Sequence, residues 1–386
     1  MSNMNESSLN ENQAMLAESA RKYVERGYTP EARVASLSSP HGCTPQRWSE
    51  FADMGWLALP LPEDDGGLGG SVSDMCVLAE ELGQAPVVEP WIACGVMAAS
   101  LLAATGNAAQ RALWLPALAA GEKRIAFAAW EAGSRFDATQ IVMRAERTDG
   151  AWLLTGTKEL ALGAPGADAL IVAALCDDAS DKPVPALFLV EPGVTGVDLR
   201  SYAMVDGRHA SHVRLKNVAV GAEARLDAAT DVMQSIAFAI DLAAIVSCAE
   251  TTGAMAKALE MTLDYLKTRK QFGRILASNQ ALQHRLVDLH VAVEETRALV
   301  HAAASAFTGP APQRQTYAAA AKAYASQAAR LVWEETVQMH GAIGMTDEYM
   351  LGRYVRHLAA SHVMFGDMDH HLERMADLED REHEAV

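Results

Sequence analysis

At 386 residues, half of them apolar, the chain is long enough for two or three domains with sizeable cores rather than one. A formal net charge of −17 argues against nucleic acid and against anionic membrane surfaces as partners. The five cysteines (Cys43, Cys76, Cys94, Cys176, Cys248) are scattered without a CxxC pair, and their odd number suits buried, reduced thiols.

In chain order, the polar, acidic N-terminus lacks the layout of a signal or transit peptide, so a cytoplasmic protein is expected. Residues 9–120 read as helices. Trp48, Phe51, Met54 and Leu57 recur at three-residue intervals, with Trp56 widening the apolar face. Pro60, Pro62 and the Asp- and Gly-rich run to Gly70 break the pattern. Helix resumes over residues 75–82, with Gly83 as its expected C-cap. After Gly121 the segments become short and β-rich. Residues 141–147 and 151–155 flank Asp149-Gly150 as a hairpin, and 170–175, 186–190 and 213–218 are further strands. From residue 228 the chain is helical again. Its apolar stretch 236–249 contains Asp241 and is expected to be too short to span a bilayer. Leu282, Leu286, Leu289, Val293 and Val300 form a stripe of period 3.6, and an alanine-rich helix over 318–339 stops at Gly341.

Two C-terminal segments carry more than structure. One is Arg269-Lys270-Gln271-Phe272-Gly273, with Gln280 following. The other is Gln338-Met339-His340-Gly341-Ala342-Ile343-Gly344, followed by Arg353 and Arg356. Together they resemble the R-x-x-F-G and Q-x-x-G-G segments of the acyl-CoA dehydrogenase family. Trp48, Met54-Gly55-Trp56-Leu57, Leu61-Pro62-Glu63 and Glu81-Leu82-Gly83 are similar to that family's N-terminal run, so the resemblance spans the chain. It implies a multidomain α+β fold: an N-terminal helical domain (1–120), a middle β-domain (121–227) and a C-terminal domain resembling a four-helix bundle (228–386). It also implies FAD as cofactor, an acyl-CoA substrate, with Asp241 beside the CoA chain, and electron transfer flavoprotein as acceptor. Arg269, Phe272, Gln280, Gln338 and Gly341 take the positions that hold the ADP half of an FAD bound by a neighbouring subunit. A guanidinium suits a pyrophosphate, and a glycine lets backbone N–H groups approach it.

Other positions depart from the family. Its ring-facing segments read here Phe127-Ala128-Ala129-Trp130-Glu131 and Leu160-Ala161-Leu162-Gly163. Trp130, Leu160 and Leu162 replace residues that meet the polar ring, and each unsatisfied group costs about 1–3 kcal/mol. A pocket poor for flavin, filled by Trp130, is expected. The two positions from which family glutamates take the substrate proton are Phe365 and Ala243, with Ala244 in place of a neighbouring arginine. Asp367 is the nearest carboxylate; a shifted loop would make it a base, and a turn would make it a cap. His357, His362, His370 and His371 lack metal-ligand spacing. Two readings follow. One is a subunit without its own base, paired with a homologous catalytic subunit, as in two-gene bacterial enzymes of sterol side-chain and dicarboxylate catabolism that carry a similar F-G-D-x-x-H-H segment. The other is a self-sufficient homo-oligomer using Asp367.

Overall fold

The structure, a computed structural model, describes residues 9–148, 150–177, 183–226, 231–271, 273–346 and 349–384, without the side chains of 382 and 384. Asp149 and Phe272, singled out above, lie outside the described residues. The helices in chain order are α1 (Glu11–Arg26), α2 (Pro30–Ser38), α3 (Pro45–Asp53), α4 (Val72–Gly83), α5 (Ala99–Thr105), α6 (Ala108–Ala119), α7 (Val232–Thr268), α8 (Gln280–Ala306), α9 (Ala311–His340), α10 (Leu351–Ser361) and α11 (Met368–Glu384). The chain divides into two units: one takes residues up to Pro30, Val72–Val87 and everything from Ala244, and the other takes Glu31–Ser71 and Val88–Ala243.

The second unit is built on a sheet of β1 (Ile125–Ala128), β2 (Arg144–Thr148), β3 (Ala151–Leu162), β4 (Ala169–Cys176), β5 (Val184–Val190), β6 (Val197–Ala203), β7 (His209–Gly221) and β8 (Arg225–Leu226). Their order is β6-β7-β3-β2-β4-β5-β8, with β1 also beside β4. Only β1 and β2 run parallel to β4; the remaining pairs are antiparallel. β4 is apolar and buried along nearly its whole length, as a central strand must be. The expected hairpin is β2–β3, pairing Thr148 with Ala151 and Arg144 with Thr155. In this unit α3 starts on a Thr44 cap and ends at Asp53, short of the expected reach to Leu57. The chain turns instead at Gly55 (φ +75°), leaving Met54 exposed and Leu57 buried from a turn.

The first unit is helical. Leu259, Leu266, Leu289, Val293, Val332, Met339, Tyr354 and Leu358, from α7–α10, share its core. The predicted stripe on α8 is present, with Leu289, Val293 and Val300 buried. α9 ends where expected, at Gly341 with φ +67°. The apolar stretch at 236–249 is not a short element: α7 runs 37 residues and is long and apolar enough to cross a membrane by length and composition. Its apolar side chains are instead buried in the fold, Ile236, Ala239 and Leu242 in one unit, Ile245, Val246 and Cys248 in the other.

Gly83 does not cap α4 from outside; it is the helix's last residue. A Cβ there would sit on the carbonyl oxygen of Glu250 in α7, and one on Gly253 of α7 would sit on the carbonyl oxygen of Glu80 in α4. The two glycines therefore let α4 and α7 cross in backbone contact, and neither helix can yield without moving its neighbour. Gly253→Ala is expected to destabilise the protein by about 1–3 kcal/mol, despite alanine's higher helix propensity. Urea unfolding checks this; an unchanged or raised stability would show that the crossing is not close-packed.

Candidate functional site

α7 ends at Thr268, and a small hairpin, β9 (Lys270–Gln271) with β10 (Arg274–Ile275), leads towards α8. Arg269 is anchored by its backbone: its N–H donates to Tyr265 O (2.8 Å), and its carbonyl accepts from Leu276 N–H (2.9 Å). Its side chain is exposed and has no ion-pair partner among the described residues. Gly273 turns the hairpin at φ +79°. Gln280 opens α8, exposed. At the end of α9, Gln338 and Gly341 are exposed, and nothing lies within 4 Å of where a Cβ on Gly341 would be.

A ring cluster joins the ends of α7 and α9. Tyr265, one turn before Arg269, stacks on His340, next to Gly341, with centroids 4.4 Å apart and 23° between planes. The Tyr265 hydroxyl donates to His340 O (3.4 Å). Tyr349 lies 5.3 Å from His340. The His340 Nδ1–H donates to Thr336 O (2.9 Å), and burial lowers the pKa of the ring, so it is neutral. The sequence reading missed this cluster. Its only signal was the helical spacing of Tyr265 and Arg269. An exposed guanidinium with no ion-pair partner among the described residues and an open glycine at positive φ each suit the phosphates of a dinucleotide.

The loop carrying Phe365 and Asp367 joins α10 to α11. Phe365 is buried with φ +59°, and its carbonyl accepts from His371 Nε2–H (2.9 Å). Gly366 (φ +110°) has no room for a side chain: a Cβ there would lie 2.5 Å from His371 Nε2. Asp367 Oδ1 accepts from His370 N–H (2.9 Å), capping the first turn of α11. Burial, with the nearby Lys322 charge, pushes the His371 pKa down to about 3. Lys322 is itself buried, which brings its pKa down to about 8. Its Nζ donates to Ser326 Oγ (2.7 Å), Ser361 O (3.2 Å) and His362 O (3.4 Å). Two buried basic side chains thus pin this loop from its two ends. No group of three His, Cys, Asp or Glu residues among the described residues is placed to hold a metal ion.

In the sheet unit, Trp130 is 5% exposed, and its Nε1–H donates to Phe136 O (3.0 Å). Glu159 N–H donates to Trp130 O (2.8 Å). Beside it the Glu131 carboxylate receives the Nζ of Lys158 (2.7 Å) and the backbone N–H groups of Val142 (3.0 Å) and Met143 (3.1 Å). Lys158 is wholly buried, which lowers its pKa, with Glu131 opposing the shift. Leu160 stands at φ +50° in the bulge of β3, and Leu162 is buried. Trp130, Leu160 and Leu162 offer no free polar side-chain atom to the edges of a flavin ring. On α7, Asp241, Ala243 and Ala244 are all buried.

Comparison with known proteins agrees with these motifs. Two family models match: the acyl-CoA dehydrogenase N-terminal domain over residues 10–122 and the C-terminal domain over 233–378. The acyl-CoA dehydrogenase IpdE2 of Mycolicibacterium smegmatis is 30% identical over 368 residues, 95% of this chain and 98% of that protein. A variant of the Tcur3481-Tcur3483 steroid ACAD superposes with a TM-score of 0.85 at 30% identity, covering 97% of this chain and 99% of that one. The ChsE4-ChsE5 complex from Mycobacterium tuberculosis contains a chain with a TM-score of 0.86 at 26% identity, covering 96% and 97%. Similarity that runs from the first helices to the last places this chain in the acyl-CoA dehydrogenase family, whose cofactor is FAD.

Proposed function

We propose that this chain is the non-catalytic subunit of a heteromeric acyl-CoA dehydrogenase, desaturating the α,β bond of a steroid-derived acyl-CoA in the cytoplasm. The observation that carries it is the pair Phe365 and Ala243: both are buried and apolar, so neither place from which a family glutamate reaches the α-carbon holds a proton acceptor. Asp367 spends one carboxylate oxygen on the cap of α11. A homologous subunit supplies the glutamate and the ring pocket, and electron transfer flavoprotein takes the electrons onward. When bound, FAD supplies the hydride acceptor. This chain's part is to hold the nucleotide end, with Arg269 on the pyrophosphate and Gln280, Gln338 and the backbone at Gly341 around it. Two similar structures, the Tcur3481-Tcur3483 steroid ACAD and the ChsE4-ChsE5 complex, support pairing and substrate class.

Purified alone, the chain is expected to be colourless or faintly yellow. Co-expressed with its partner it is expected to give about one FAD per two chains, since each flavin then needs one clamp and one ring pocket. Flavin absorbance against protein concentration measures both. Stoichiometric FAD in the isolated chain would defeat the proposal.

A further inference from the structure

Arg269 and Gln338 are 69 residues apart in sequence and lie at the ends of different helices, and they must meet one ligand together. We propose that His340 is the positioning residue of the clamp: stacked on Tyr265, it locks the end of α9, with Gln338 and Gly341, to the end of α7, with Arg269. The inference rests on the clamp reading above and adds to it the residue that fixes the clamp's geometry.

The geometry is specific. Tyr265 is bonded through its carbonyl to the N–H of Arg269, and His340 is covalently joined to Gly341, so each ring of the stack is one step from a clamp residue. His340 is 5% exposed, and its Nδ1–H is committed to Thr336 O. Its Nε2 is buried with no hydrogen-bond partner among the described residues. Its value lies in being a neutral, flat spacer between Tyr265 and Tyr349. The ionisable groups facing it are the Tyr265 phenol from α7 and the Tyr349 phenol from the segment before α10, with Asp264 of α7 close to that phenol.

The sign of the pH effect follows. Burial lowers the His340 pKa below its ordinary value, so the folded clamp prefers the neutral ring. The stack is at full strength above the ordinary histidine value, about 6.5, and is lost only as pH falls through the lowered value of the folded ring, because Nε2 then takes a proton and finds no acceptor among the described residues. Nucleotide holding should therefore weaken in acid.

The test uses the assembled protein, with FAD retention after gel filtration and ADP affinity by calorimetry as readouts. His340→Ala is expected to weaken both about three- to tenfold at pH 8, the range of one aromatic pair. His340→Phe keeps a ring in the stack. It is expected to hold FAD like the natural protein at pH 8 and to lose the weakening seen as pH falls below the ordinary histidine value of about 6.5. Arg269→Ala, run alongside, is expected to cost about tenfold or more, the loss of a charge-assisted contact. If Arg269→Ala weakens binding but His340→Ala does not, or if His340→Phe keeps the acid dependence, the positioning role is wrong and the clamp stands. If Arg269→Ala changes nothing, the clamp reading falls and takes this inference with it.

Discussion

Supplied with FAD, an acyl-CoA and an artificial electron acceptor, the isolated chain is expected to give no enoyl thioester. Removing the α-proton needs a carboxylate at the carbon, and a positioned base is worth roughly 10²- to 10⁴-fold. Phe365 and Ala243 provide none, both being apolar and buried. The assembled enzyme is expected to turn over, and to lose activity by about 10²-fold or more when the partner's glutamate is replaced by glutamine. Asp367→Asn is the informative change in this chain. An asparagine side chain can still accept from His370 N–H, so the cap survives and the chemical step should stay near its natural rate. A fall of about 10²-fold in the isolated, flavin-loaded Asp367→Asn variant would instead make Asp367 the base and the chain self-sufficient.

Glu131→Leu is expected to destabilise the protein by about 3–5 kcal/mol, because it strands a buried ammonium. It also orphans the amides of Val142 and Met143, which the carboxylate satisfies in the native fold. Lys158→Met is expected to cost less, since Glu131 then keeps those two donors. The order of the two variants therefore identifies the carboxylate as the hub. Lysine 158 is already held below its ordinary pKa by burial. Without Glu131 the folded state must shed that proton while the unfolded state keeps it, so the deficit of Glu131→Leu should shrink as pH rises from about 7 towards 10. Urea unfolding across that range measures both effects. A cost below about 1 kcal/mol for Glu131→Leu would mean that the pair is open to water.

Local signals were legible in the sequence wherever one residue type has one physical use. The hairpin followed from an Asp-Gly pair between apolar runs, and α8 from a stripe of period 3.6. The end of α9 followed from a glycine able to take φ +67°. What could not be read depends on partners far along the chain. β1 pairs with β4 forty-four residues on, and its four apolar residues suit a helix as well as a strand. Trp48, Phe51, Met54 and Leu57 kept a helical spacing past the point where Gly55 turns the backbone. Gly83 looked like a stop signal because its true neighbour, the carbonyl of Glu250, is remote in sequence. At the candidate site, Arg269, Gln338 and Gly341 could be picked out only through the resemblance of their segments to the family's motifs. The stack of Tyr265 on His340 could not, because the two rings lie 75 residues apart.

The backbone at position 365 is held by His371, by the room Gly366 leaves and by the Asp367 cap, all of them contacts to main chain or to neighbouring residues. These contacts offset the cost of a non-glycine residue at φ +59°. Scaffold and chemistry are thus separable at this loop. After a gene duplication, one copy can exchange its carboxylate for an apolar residue in a few nucleotide changes and still fold and dock. Asymmetric pairs can arise from symmetric ancestors without passing through an unfolded intermediate, and the released copy is then free to specialise in shaping its partner's substrate range.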